Sequence, residues 1–126
     1  MNQHLKYIKV GKIGGFHYSP AVVAGSLCFC AGHLGTMDDG SLAESIEEQT
    51  RQMLYNLERT LNSAGFAAYD VVKTSLWLRD TAELPKVDAI YRDFFLDVAP
   101  ARTALQVSKL PLDAAVEIDA IAYRSR

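Results

Sequence analysis

An arginine and an acidic pair in the last third of the sequence are residue types that could hold a small anionic molecule and handle a proton beside it. Residues 102–107 alternate so that Thr103, Leu105 and Val107 share one strand face while Arg102, Ala104 and Gln106 share the other. In residues 115–123, Val116, Ile118 and Ala120 make a small apolar face, and Glu117 and Asp119 lie opposite beside Ala115, Ile121 and Tyr123. If helices cover the apolar faces, Arg102, Glu117 and Asp119 project from the uncovered one. A guanidinium there offers a planar fork for a carboxylate, and Glu117 could take a proton or position water. The plainer alternative is a cross-strand ion pair on a wet surface, worth about 0–1 kcal/mol. Apolar residues mixed with a few charges on that face fit a subunit interface better than bare surface.

The other chemistry-bearing cluster is Cys28, Cys30 and His33, with His17 or His4 as a conceivable fourth metal ligand. Cysteines two apart on a strand stand parallel with Cα atoms about 6.6 Å apart, too far to bring their Cβ atoms to disulfide distance. Two free thiols fit a reducing compartment. Buried free cysteine is the commoner use of such residues, and zinc usually requires more convergent ligands.

These groups need elements to hold them. Strands are expected at residues 5–10, 21–24 and 27–31, the last two joined by a tight Gly25-Ser26 turn. A helix is expected over residues 45–64: Ser45 and Glu48 have capping-box spacing, Ile46, Met53, Leu54, Leu57 and Leu61 form one stripe, and Gly65 stands at the C-terminal cap. A strand at 71–78 precedes a helix over 80–97 with the stripe Leu84, Val87, Tyr91, Phe94 and Phe95, and Pro85 falls in its tolerant first turn. Strands at 102–107 and 115–123 complete a βββαβαββ order, an α+β domain with both helices on one sheet face. The 126 residues fit one domain, residues 1–126, able to bury a core without staples. A net charge of −2 argues against nonspecific binding to nucleic acid or anionic membranes. The N-terminal MNQHLKYIKV has no apolar run of signal or membrane-spanning length, so a cytoplasmic protein is expected.

The residues Pro100-Ala101-Arg102-Thr103-Ala104, Lys109-Leu110-Pro111 and the run Val116-Glu117-Ile118-Asp119-Ala120-Ile121-Ala122 resemble the signature of the reactive-intermediate deaminases, the Rid or L-PSP (translation-inhibitor) family. Tyr18-Ser19, Ala21-Val22, Ala31-Gly32, Gln49-Thr50-Arg51-Gln52 and Val72-Lys73-Thr74 agree with it, so the resemblance spans residues 18–123. It implies a chorismate-mutase-like fold and a homotrimer with sheets facing inward, helices outside and three clefts between subunits. It also implies hydrolysis of short-lived enamines and imines, such as 2-aminoacrylate, to 2-oxo acids and ammonia without metal or organic cofactor. Arg102 would bind the substrate carboxylate and Glu117 would position the attacking water. Tyr18 would line the pocket from a neighbouring subunit, and main-chain groups at Gly32, Thr103 and Ala104 would complete it.

The sequence departs from the relatives that act on 2-aminoacrylate at four positions: Ala104 replaces cysteine, Ala31 serine, His33 glutamine and Asp88 asparagine. His33 is either a further polar contact in the site or a hydrogen-bonded strand-end histidine. Asp88 is either part of the site, where its charge would oppose an anionic substrate, or a solvated helix residue. A ring-cleavage enamine such as 2-aminomuconate is an alternative substrate. Two other classes remain, a nonenzymatic metabolite-binding trimer and an endoribonuclease; the missing basic and aromatic stripe counts against the latter.

Overall fold

The computed structural model describes residues 2–10 and 15–125. Its elements run β1 (Leu5–Ile8), β2 (Ala21–Ala24), β3 (Leu27–His33), α1 (Ile46–Ser63), β4 (Val71–Leu78), α2 (Leu84–Phe95), β5 (Ala101–Gln106) and β6 (Val116–Tyr123). The expected βββαβαββ order is therefore the observed one. The strands form one six-stranded sheet in the order β1-β2-β3-β6-β4-β5, parallel only between β4 and β5. The fold is mixed α+β, with both helices packed on the same face.

Local chemistry accounts for the element ends. Ser45 caps α1 by accepting from the Glu48 backbone N–H at 3.0 Å, but its hydroxyl also donates to Glu48 Oε1 at 3.1 Å, so the carboxylate binds the cap side chain instead of completing the reciprocal box. At the far end Gly65 adopts φ 85°. The bonds Gly65 N–H to Asn62 C=O and Phe66 N–H to Leu61 C=O close a Schellman turn. A short 3-10 turn at Thr81–Glu83, capped by the Asp80 carboxylate, occupies what was expected to be the start of α2.

The core lies between the helices and one sheet face. Met53, Leu57 and Leu61 of α1 and Val87 of α2 are wholly buried against Leu76, Leu78, Val116, Ile118 and Ala122. Each fully buried large aliphatic side chain contributes roughly 1.5–3 kcal/mol. Cys28 and Cys30 point into this core with sulfurs 3.9 Å apart and neither in a disulfide. The hydrogen bond to Cys28, with burial second, pushes the Cys30 thiol well above its ordinary value. It is a packing group and a poor nucleophile.

Among the described residues the opposite sheet face carries no helix. Tyr7, Leu27, Phe29, Leu105 and Tyr123 alternate onto it and are all exposed. Glu117, Asp119 and Ile121 share this face, as the alternation of β6 predicts. Ala115 does not. It precedes β6 and is fully buried, its N–H donating to the buried Gln49 side chain of α1 at 2.9 Å. No helix among the described residues is long and apolar enough to cross a membrane.

Candidate active site

Arg102 lies on the helix-covered side of the sheet, not beside Glu117 on the open face as the strand alternation suggested. The parallel register sets Arg102 opposite Thr74. Thr74 is buried beneath α2, where its hydroxyl meets the Tyr91 hydroxyl at 2.7 Å. The Arg102 guanidinium follows Thr74 to that side, sits over the Tyr91 ring at 4.8 Å and donates to Asp88 Oδ1 at 2.7 Å. Glu117 pairs with Trp77, which alternates with the core residues Leu76 and Leu78 and so faces the open side. The expectation failed because β5 is an edge strand whose facing is dictated by β4. Small Ala104 goes beneath the helices, while Leu105 is left 54% exposed on the apolar open face.

Arg102 has its guanidinium held at one edge, by Asp88. Its side chain keeps only 25% of its surface exposed. Among the described residues Asp88 is its only hydrogen-bond partner, so four of the five guanidinium N–H donors are free. The Arg102 hydrogen bond, reinforced by the charges of Arg102 and Arg92, holds the Asp88 carboxyl below its ordinary range.

Glu117 is placed by a break in β3. The β3–β6 register slips between Cys30 and His33, a bulge that brings the Gly32 backbone close to Glu117. A Cβ at position 32 would overlap the Glu117 carboxylate where it now lies, so any larger residue there would displace it. Burial first, and the Asp119 charge on the same face second, push the Glu117 carboxyl above its ordinary 4.5. A half-buried carboxylate with raised affinity for a proton is suited to accept one from water. Thr103 lies on the same open face, accepting from Lys73 Nζ at 3.2 Å.

His33 turns the other way. Its Nδ1 donates to the Ala31 carbonyl at 2.7 Å, and Nε2 accepts from the Thr60 hydroxyl of α1 at 2.8 Å. Both ring nitrogens are occupied, Nδ1 by its own strand and Nε2 by α1, so His33 acts as a strand-to-helix clamp. Among the described residues no three His, Cys, Asp or Glu side chains converge on a metal-sized position. Burial lowers the His33 value below 6.5. The folded protein then binds fewer protons than the unfolded chain as pH falls past 6.5, and stability drops toward the folded value. Melting temperature between about pH 7 and about pH 5 should therefore fall more steeply for the wild type than for His33→Gln. Parallel slopes would remove His33 as the cause.

Within one chain, then, Gly32 meets Glu117 and Arg102 meets Asp88, while the two halves occupy opposite faces. Tyr18, 48% exposed ahead of β2, belongs to neither contact. Tyr91, expected only as core, proves to be the platform for Arg102; its spacing three residues after Asp88 on α2 is the signal that could have marked it.

The sequence pattern of the Endoribonuclease L-PSP family matches residues 14–124. The chain belongs to this family. Reactive Intermediate Deaminase A of Arabidopsis thaliana chloroplasts is 40% identical over 107 residues, covering 83% of this chain and 57% of that protein. The 2-iminobutanoate/2-iminopropanoate deaminase of Salmonella typhimurium is 34% identical over 111 residues, covering 85% and 87%. Among solved structures, E. coli TdcF with bound serine superposes with a TM-score of 0.88 at 30% identity, over 95% of this chain and 99% of that one. Proteins named for deamination of 2-imino acids and of reactive intermediates thus stand among the relatives of this chain.

Proposed function

We propose that this chain hydrolyses small carboxylate-bearing imines, and the enamines that tautomerise to them, to 2-oxo acids and ammonia. The observation that carries the reading is the division of the two functional groups between opposite faces of one sheet. A site using both requires two subunits, and the apolar open face supplies an interface. In the proposed homotrimer Arg102 of one subunit holds the substrate carboxylate through its free donors. Glu117 of the next positions water and takes its proton as oxygen bonds to the imine carbon. The C=N electron pair moves to nitrogen, which takes that proton back from Glu117. In the resulting carbinolamine the hydroxyl proton passes through Glu117 to nitrogen as the C–N bond breaks, releasing ammonia and leaving the 2-oxo acid. Tyr18 and the backbone at Gly32, Thr103 and Ala104 line the cleft. No resident metal or organic cofactor enters this scheme.

Relatives named for 2-imino acid and reactive-intermediate deamination support the reading. So does the bound serine in TdcF, a small molecule bearing a carboxylate. Ammonia release from a panel of freshly generated imines tests it: acceleration over spontaneous hydrolysis for 2-iminopropanoate-sized acids is expected, and none for any member would reject the activity. Light scattering at micromolar concentration should give a trimer. A stable folded monomer would remove the proposed site.

A further inference from the structure

We propose that Asp88 is a specificity-setting residue that acts through Arg102, fixing its orientation and tempering its attraction for anionic carboxylates. The inference rests on Arg102 being the carboxylate ligand. Asp88 accepts from Arg102 at 2.7 Å through Oδ1 and from Arg92 at 3.0 Å through Oδ2, one arginine on each oxygen. The two arginines differ greatly. Arg92 is 77% exposed one helical turn along α2, whereas Arg102 comes from a different strand and is mostly covered.

The shape of the cluster defines what each member does. The Tyr91 ring lies beneath the Arg102 guanidinium and Asp88 holds Nη1, so an incoming carboxylate must use the remaining donors. A guanidinium fixed at one edge loses less freedom when its other edge binds. Against that gain, a second anion would lie within about 6 Å of Asp88, the range over which neighbouring charges act strongly on one another. Asp88 therefore makes the site selective. A ligand must earn its place through contacts beyond its charge, and one adding a second negative group near α2 is disfavoured. Arg92 offsets part of the Asp88 charge from the solvent side.

These relations predict opposite effects from neighbouring substitutions. With pyruvate as probe and calorimetry as readout, Asp88→Asn, which keeps an acceptor for Arg102 but removes the charge, should bind about tenfold more tightly at low salt. The gain should shrink as salt screens it. Arg92→Ala, which exposes the full Asp88 charge, should bind about twofold more weakly. A merely structural role for Asp88 would not move affinity in opposite directions in two variants with unchanged melting temperature. Unchanged or weaker pyruvate binding by Asp88→Asn, or tighter binding by Arg92→Ala, overturns the inference. Arg102→Ala is the control that separates the two layers: if it binds pyruvate like the wild type, the assignment of Arg102 itself fails.

Discussion

Arg102→Ala is expected to abolish turnover and to lose binding of a 2-oxo acid while the protein remains a folded trimer. Truncating one partner of a desolvated charged pair costs about 2–5 kcal/mol, which is roughly 30-fold or more in affinity. Folding should survive because the group left behind, Asp88, is 29% exposed and keeps its bond to Arg92. Arg102→Lys keeps the charge but not the fork. It should recover little of the binding, about tenfold or more below the wild type. Calorimetric titration with pyruvate and steady-state ammonia release check both variants. Normal turnover by Arg102→Ala would place the carboxylate elsewhere.

Glu117→Gln should separate the other half of the chemistry. Amide for carboxylate preserves shape beside Gly32 but removes the proton acceptor, so the rate should fall by roughly 10²-fold or more. Pyruvate affinity should stay within about tenfold. Stability moves the opposite way. The folded state raises the Glu117 value, so the ionised carboxylate costs stability above its ordinary 4.5, and the neutral amide should melt at or above the wild-type temperature. The same shift places the acid limb of the wild-type pH–rate profile above 4.5. Gly32→Ala, whose methyl group would overlap the Glu117 carboxylate, should reproduce the rate loss without altering that carboxylate's chemistry. A Glu117→Gln variant that hydrolyses imines at the wild-type rate would make the carboxylate structural and favour a binding protein.

Much of the framework was legible because short-range chemistry writes it. Ser45 and Gly65 bracket α1, the Gly25-Ser26 pair joins β2 to β3, and the Val116, Ile118 and Ala120 alternation of β6 survives intact in the folded protein. What escaped was decided at long range. Arg102-Thr103-Ala104-Leu105 carries no label saying which face the helices will cover; the parallel pairing of Arg102 with Thr74 decides it. The Arg102–Asp88 bond joins residues fourteen apart through a strand–helix–strand arrangement, which no local period records. His33 faces α1 because of the bulge at Gly32, a one-residue slip that reverses side-chain direction. Arg102 and Glu117 stood out as charges on strands otherwise rich in apolar residues, but Asp88 as the neighbour of Arg102 was not legible, because it comes from a helix.

That shared site is the central claim, and mixed trimers test it directly. Arg102→Ala and Glu117→Gln are each expected to be inactive alone. If one site takes Arg102 from one subunit and Glu117 from the next, every trimer containing both variants rebuilds one intact site of three. Co-refolded in equal amounts, the two inactive proteins should then recover about a quarter of the wild-type rate of ammonia release. No recovery from trimers verified by mass spectrometry to contain both variants would contradict the account, placing Arg102 and Glu117 of a single chain, or only one of them, in the working site.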